Sequence, residues 1–316
     1  MTRRGFLAST AAGMTGLAMG RAGAAGEDLP WLDLHVHLDN STLEAVLGLS
    51  RERNVKFGIV EHAGTKENVY PVVLGNDEEL KAWIAALEGW PVYKGVQAEW
   101  IDWTGCFSKD VLARLDFVLT DAMTMPGKDG RRRKLWEADA AELGDAESFM
   151  DRYVDWHVRV LESGPVNILA NVSWLPEAFK GDHDRLWTER RVRRIAEAAV
   201  KRGAAIEISG GMKLPKRPFL QIAKAAGAMF HTDAVQAVGK IPIHLAKSEA
   251  IDMLSLSGHK LHAPKGIGAL YVRRGTPFVP FLRGGHQESN RRAGTEAVNA
   301  ISGSYRPGLT PEESLW

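Results

Sequence analysis

Residues 32–40 read LDLHVHLDN, and this stretch decides the fold class of the chain. Apolar side chains occupy every second position from Leu32 to Leu38, which predicts a β-strand because successive side chains of a strand point to opposite faces. His35 and His37 then share the other face, near the end of the strand. Neutral imidazole is a common ligand of zinc, iron and similar ions. The stretch therefore predicts a metal site, and a pair of packed, hydrogen-bonded histidines is the alternative.

Strand-like and helical patterns alternate along the next two hundred residues or so. The predicted strands are Trp31–Leu38, Lys56–His62, Val92–Trp100, Asp116–Ala122, Val166–Val172, Ala204–Ser209 and Ala228–Asp233. The predicted helices are Ser41–Arg53, Asp77–Leu87, Ser108–Leu115, Asp145–Leu161, Leu186–Lys201 and Arg217–Ala226. This spacing indicates parallel βαβ units in an α/β fold. Seven units suit a barrel, whose functional site lies at the carboxyl ends of the strands.

Polar side chains end the successive predicted strands. They are Glu61 and His62, Glu99, Asp121, Asn171, and Glu207. A single carboxylate in such a position is often only the cap of the next helix. Together, however, histidines, carboxylates and an amide at successive strand ends indicate one shared mouth.

Five motifs resemble the polymerase-and-histidinol-phosphatase (PHP) superfamily. They are DLHVH, VEH, GVQAEW, LDFVLTDAMT and AAIEIS, and they span about residues 30–228. The resemblance implies a distorted (β/α)7 barrel that binds two or three divalent metal ions such as Zn, Mn or Fe. It also implies a hydrolase that acts on a small-molecule phosphoester.

The PHP resemblance assigns roles by matching position. It implies that the metal ligands are His35, His37, His62 and Glu99. Glu61 stands where the family usually has Asp, and in a metal-dependent hydrolase Glu61 or Asp121 could accept the proton during catalysis.

The sequence departs from the PHP pattern after the third strand. Asp121 and Asn171 stand where the family usually has histidines, and asparagine is a poor ligand for a transition metal. The last-strand pattern SDAH is replaced by FHTDAVQ, which places His231 and Asp233 in the reverse order. We therefore expect one or two metal ions at most, held by His35, His37, His62 or Glu61, and Glu99.

Residues 229–301 follow a different pattern. Strands are predicted over Met229–Val235, Ile251–Ser257 and Ile267–Arg273. Lys260 lies just after the second of these strands. A lysine there suits a Schiff base, while an upstream aspartate suits a pyridinium nitrogen. A solvated loop lysine is the alternative.

The motifs HTDAVQAVGK, SLSGHKLHAPKGIGALYVR and RRAGTE resemble cysteine desulfurases, which are pyridoxal-phosphate (PLP) enzymes of the aminotransferase fold. The resemblance implies that Asp233 pairs with the pyridine nitrogen and that Gln236 contacts the ring hydroxyl. It implies that Ser257 and His259 hold the phosphate and that Lys260 forms the Schiff base. The amino-terminal half of that family and its nucleophilic cysteine loop have no counterpart here, since the single cysteine, Cys106, lies upstream.

The two ends of the chain carry their own signals. TRRGFLAST, an apolar stretch and a small-residue site near Ala24 resemble a twin-arginine export signal over residues 1–24, which implies the export machinery as a partner and an exported protein. The apolar stretch is too short to anchor the mature chain in a membrane. PGLTPEESLW, within residues 302–316, looks like the start of the closing PHP helix. The formal net charge of +1 does not indicate nucleic-acid binding.

These patterns predict a chimera. Residues 25–228 form a PHP-like barrel, and the desulfurase-like segment 229–301 replaces its carboxy-terminal part with a fragment of an aminotransferase large domain. The main hypothesis is an exported metal-dependent hydrolase. A PLP-dependent lyase or transferase and a non-catalytic protein are the alternatives.

Overall fold

We describe the fold from a computed structural model, which describes residues 31–53, 55–66, 70, 73–127, 129–209, 211–235, 237–247, 250–261, 267–278 and 284–295. The predicted export signal, the predicted closing helix and Gln236 lie outside these residues. The described chain divides into two compact units, residues 31–227 and residues 228–295. In the described part, we find no helix with the length and apolarity needed to cross a membrane.

The first unit is an α/β unit with a curled, all-parallel sheet. Its strands are β1 (Trp31–Val36), β2 (Val55–Ala63), β3 (Tyr93–Ala98), β4 (Phe117–Thr120), β5 (Thr124–Pro126), β6 (Arg132–Lys134), β7 (Ile168–Leu169) and β8 (Ala205–Ile206). Six of them form the parallel sheet in the order β1-β2-β3-β4-β7-β8, and β5 and β6 form a separate antiparallel hairpin. The first six predicted strands are therefore confirmed.

Helices connect the parallel strands, as the sequence predicted. They are α1 (Leu43–Arg53), α2 (Asp77–Leu87), α3 (Lys109–Leu112), α4 (Ala140–Leu143), α5 (Ala146–Glu162), α6 (His183–Leu186), α7 (Glu189–Arg202) and α8 (Arg217–Ala225), with 3-10 turns at Trp103–Cys106 and Glu177–Asp182. Local chemistry fixes several ends. The side chain of Asn76 accepts a hydrogen bond from the backbone of Glu79 at the start of α2, and Gly203 ends α7 in the left-handed conformation.

The two faces of the curled sheet pack differently. Outward-facing residues such as Val96 and Val118 pack in one cluster with Leu80 and Ile84 of α2. Inward-facing side chains pack against one another, and Phe117 fills the centre of this inner layer with Val60, Leu119 and Ala170. Gly58 and Gly95 make room for the ring, since an added Cβ on Gly95 would lie 2.3 Å from Cζ of Phe117. The lower part of the curl is therefore filled with side chains.

The seventh predicted strand does not join this sheet. Residues 228–233 contribute β9 (His231–Asp233), which belongs to a three-stranded sheet of the second unit with β10 (Met253–Ser257) and β11 (Gly268–Val272). β9 pairs in parallel with β10, and β10 pairs antiparallel with β11. The first-unit sheet therefore has six strands in the described chain, where the sequence predicted a seven-stranded barrel. The reason is that β9 finds its backbone partner in the desulfurase-like segment.

The rest of the second unit is short. A 3-10 turn, Gly258–Leu261, follows β10, and α9 (Gln287–Asn290) is a four-residue turn. A small apolar cluster around Ala234, Val238 and Leu254 forms its core. All three strands predicted downstream of residue 228 are thus present.

Candidate functional site

The polar residues predicted at the strand ends do meet at one mouth. His35, His37, His62, Glu99, Asp121, Asn171 and Glu207 are linked there by side-chain hydrogen bonds. Parallel pairing brings the carboxyl ends of β1, β2, β3, β4, β7 and β8 to the same edge of the sheet. The curl of the sheet then turns these ends toward a common centre.

Gln97 lies at that centre, and the sequence analysis did not identify it. Its Oε1 atom lies 2.9 Å from Nε2 of His37 and 3.2 Å from Nε2 of His35, so it accepts from both rings. Its Nε2 group donates to Glu99 at 3.1 Å and to Asp121 at 3.4 Å. One buried amide thus links two histidine rings on its oxygen side to Glu99 and Asp121 on its nitrogen side, the carboxylate side. The sequence did contain a signal for Gln97, because it precedes Glu99 by two residues and so shares the same face of the strand.

His35 is held as a double donor. Its Nδ1 atom lies 2.9 Å from Oε1 of Glu207, and its Nε2 atom contacts Gln97. Burial disfavours the imidazolium, but the hydrogen bond and charge of Glu207, with help from Asp121, raise the pKa of His35 above its ordinary value. Both ring nitrogens are therefore engaged with acceptors in this arrangement.

The pKa values of His37 and His62 shift in the opposite direction. Burial lowers the pKa of each ring; the charge of His62 adds to the shift of His37, whereas the charges of Glu61 and Asp121 oppose the shift of His62. His62 donates from Nδ1 to Oε1 of Glu99 at 2.8 Å. Nδ1 of His37 is buried without a hydrogen-bond partner. A neutral ring with an unpaired nitrogen is the form that binds a metal ion.

Three residues can hold a metal ion together. His37, Glu61 and His62 each offer one ligand atom, and these atoms lie within 4.8 Å of one another. Burial raises the pKa of Glu61, although the hydrogen bond from the backbone of His62 opposes this shift. Glu99 contacts His62 from behind, in the position of a carboxylate that orients a ligating histidine.

Asp121 lies on the carboxylate side, where Nδ2 of Asn171 donates to its Oδ2 at 2.9 Å. Burial and the negative charge of Glu99 raise the pKa of Asp121 to about 6. Asn171 itself has a left-handed backbone, with φ of 52°. Asp121 is therefore a carboxyl group poised to exchange a proton near neutral pH.

Aromatic rings cover one side of the site, which sequence reasoning also missed. The ring of Tyr70 stacks on His62 with centroids 3.6 Å apart, and Trp136 lies 5.9 Å beyond Tyr70. The loop that carries Tyr70 is anchored at its base, where Gly64 and Leu74 form a backbone hydrogen bond of 2.9 Å. His62 is thus covered by an aromatic side chain from its own connecting loop.

In the second unit, some of the residues predicted to bind PLP lie near the ends of β9 and β10. In the parallel β9–β10 pair, Asp233 lies opposite Ser255, and Ser257 ends β10. Lys260 follows on the 3-10 turn and is exposed. The structure describes the backbone, but not the side chain, of Asp233 and His259.

Comparisons with known proteins concern the carboxy-terminal part of the chain. Residues 200–309 match the aminotransferase class-V family model. A cysteine desulfurase of Gluconacetobacter diazotrophicus is 68% identical over 93 residues, which are 29% of this chain and 23% of that protein. The cysteine desulfurase NifS of Azotobacter vinelandii is 63% identical over 105 residues, or 33% of this chain and 25% of that protein.

A solved NifS-like protein from Rickettsia africae is 40% identical and covers 27% of this chain and 24% of its own, with a TM-score of 0.26. The chain thus spans about a quarter of the length of the relatives it matches. The family model and the two cysteine desulfurase sequences confirm that the carboxy-terminal segment is cysteine-desulfurase-like. The PHP resemblance of residues 30–228 stays a prediction.

Proposed function

We propose that the first unit is a metal-dependent hydrolase with its site at the strand-end mouth. The observation that carries this proposal is the grouping of His37, Glu61 and His62, whose ligand atoms lie within 4.8 Å of one another. Two imidazoles and a carboxylate are a common ligand set for zinc and related ions in hydrolases, where an open position remains for water or substrate.

The residues present fit a metal ion in two respects. The buried Nδ1 atom of His37 has no hydrogen-bond partner, and binding a cation would satisfy its lone pair. Glu99 fixes the ring of His62 through Nδ1, which leaves the other ring nitrogen as the ligand.

The bound metal would lower the pKa of a water molecule and polarise the scissile group. Asp121 holds a proton site next to the cluster, because its pKa of about 6 leaves it mostly ionised and able to accept a proton at neutral pH. Gln97 fixes the positions of His37 and the carboxylates relative to one another through its hydrogen bonds. Tyr70 limits access of water to one face of His62. His35, whose pKa is raised by Glu207 against the opposing effect of burial, would stabilise negative charge that develops on the substrate.

A phosphoester substrate rests on the resemblance of residues 30–228 to the PHP superfamily. The proposal also includes export through a twin-arginine signal and action outside the cytoplasm. Both rest on residues 1–24 alone.

Hydrolysis of p-nitrophenyl phosphate tests the proposal. We expect activity that a chelator removes and that Zn²⁺ or Mn²⁺ restores. His62→Ala should lose it, whereas His286→Ala, which changes an exposed histidine of the second unit, should retain it. Activity that is indifferent to both the chelator and His62→Ala would contradict the proposal.

A second candidate function is PLP binding by the cysteine-desulfurase-like segment. It is favoured by the family match and by the placement of Asp233 at the end of β9 and of Lys260 just after the paired parallel strand β10. PLP would supply an electron sink for amino-acid substrates, with Lys260 as its covalent attachment point and Ser257 near its phosphate.

Borohydride reduction in the presence of PLP, followed by mass spectrometry of tryptic peptides, tests this candidate. We expect the label on Lys260 and its loss in Lys260→Ala, while Lys247→Ala, another exposed lysine, should keep it. Labelling spread evenly over surface lysines would contradict a PLP site.

A further inference from the structure

The first unit contains a cavity of about 650 Å³ between the two edges of the curled sheet. Residues of β1 and β8 line it on two sides, and Leu119 of β4 and Ile168 of β7 line it from the inner face. Closed barrels fill their interior with side chains. Here the six strands leave a space where the edge strands β1 and β8 face each other without a strand between them in the described chain.

The walls of this cavity are apolar below the strand ends. Leu34 and Ile168 belong to the same inner cluster as Phe117, and Ile206 extends the apolar wall on β8. The rim is also apolar on one side, since Ile208 is 52% exposed and Met212 is 45% exposed. Large apolar side chains that remain exposed around a cavity are typical of a binding site.

The mouth of the cavity is polar and opens onto the proposed metal site. His35, Asn171 and Glu207 line it at the carboxyl ends of the strands, and so does His37. Since His37 also belongs to the metal-capable group, a molecule that enters the cavity reaches that group with its polar end.

We propose that this cavity binds the apolar body of an amphiphilic substrate, a phosphate monoester of a long-chain or ring-containing apolar alcohol. The phosphate would lie at the mouth beside His37, and the alcohol would lie against Leu34, Leu119, Ile168 and Ile206. A volume of about 650 Å³ falls within the range of sites that enclose a small organic ligand. Hydrolysis would consume one water, break the P–O bond and release the apolar alcohol and inorganic phosphate. This inference rests on the proposed hydrolase function.

A series of n-alkyl phosphates from methyl to decyl tests the inference with the full chain. Each methylene that enters the cavity should raise kcat/KM by roughly fourfold, until the cavity is filled. Binding of decylphosphonate, which is not hydrolysed, should be correspondingly tighter than binding of methylphosphonate in isothermal titration.

Two variants narrow the cavity. Ile206→Trp should flatten the chain-length dependence, so that kcat/KM for decyl phosphate falls toward the value for methyl phosphate. Met212→Trp changes only the exposed rim and gives the same test if Ile206→Trp fails to fold. Leu49→Trp, on the outer surface of α1, is the matched control and should retain the full dependence.

The outcomes separate this inference from the function on which it rests. Metal binding and methyl phosphate hydrolysis without any gain from longer chains would overturn the cavity inference alone. Tighter binding of decylphosphonate that Ile206→Trp and Met212→Trp reduce, without hydrolysis of any phosphate, would support the cavity and contradict the hydrolase. An equal gain per methylene in the wild type and in both cavity variants would overturn the assignment to this cavity.

Discussion

Nδ1 of His35 and Oε1 of Glu207 lie 2.9 Å apart, so one hydrogen bond joins the ends of the first and last strands of the six-stranded sheet. A closed barrel would join these strands through a backbone ladder. Here a histidine–carboxylate hydrogen bond spans the seam, and it raises the pKa of a residue in the proposed active site.

We expect Glu207→Gln to lower the pKa of His35. The carboxylate is the main group that opposes burial of the ring, so without its charge the desolvation of His35 prevails. In the wild type, the stabilisation from this pair should be present below pH 6.5 and be lost as the pH rises through the raised pKa of His35. NMR titration of the His35 ring measures the shift, and an unchanged pKa in Glu207→Gln would contradict the pairing.

Gln97→Leu should destabilise the fold by about 1–3 kcal/mol, because it removes a buried amide that satisfies two histidines and two carboxylates. The free energy of unfolding from urea titration is the measurement. Gln221→Leu, at an exposed position of α8, is the control and should change stability little. Equal effects of the two substitutions would mean that the network around Gln97 contributes nothing.

Gly95→Ala should also destabilise the fold, by about 1–3 kcal/mol, since the new methyl group would lie 2.3 Å from Cζ of Phe117 in the filled lower layer. Adding Phe117→Leu should recover part of the loss by giving the methyl group room. Gly48→Ala meets no atom within 4 Å on α1 and should stabilise the protein slightly. Thermal unfolding of the three variants distinguishes steric overlap from a general intolerance of alanine.

His157 should produce an acid-sensitive limb in the stability profile. Burial lowers the pKa of this ring to about 4, and its Nδ1 atom donates to the carbonyl of Tyr153 on α5. The unfolded chain binds the proton first, so stability should fall as the pH drops from about 6.5 to about 4, by about 3 kcal/mol in total. His157→Phe should flatten this limb, and denaturant titrations at a series of pH values measure it. An unchanged limb would show that other groups govern acid unfolding.

The strand and helix pattern of the first unit was predictable because its apolar periodicity is regular. β7 shows the limit, since strand character was predicted over Val166–Val172 but only Ile168–Leu169 pair in the sheet. The left-handed backbone of Asn171 ends the strand there, and local sequence does not reveal it. The placement of β9 also depended on competition between two possible sheets, which periodicity cannot decide.

The candidate site was predictable in its members but not in its contacts. Strand-end position identified His37, His62 and Glu99, because parallel strands bring their carboxyl ends together. The central role of Gln97 and the stacking of Tyr70 on His62 depend on the curl of the sheet and on a loop conformation. Neither follows from spacing along the chain.

The metal content of the purified full chain tests the central claim most directly. After dialysis against metal-free buffer, elemental analysis should find about one equivalent of a divalent transition metal per chain. It should find almost none in the His37→Ala/His62→Ala double variant, and the wild-type amount in His286→Ala. Equal metal in the wild type and the double variant, or none in any of the three, would contradict a metal site at the strand-end mouth.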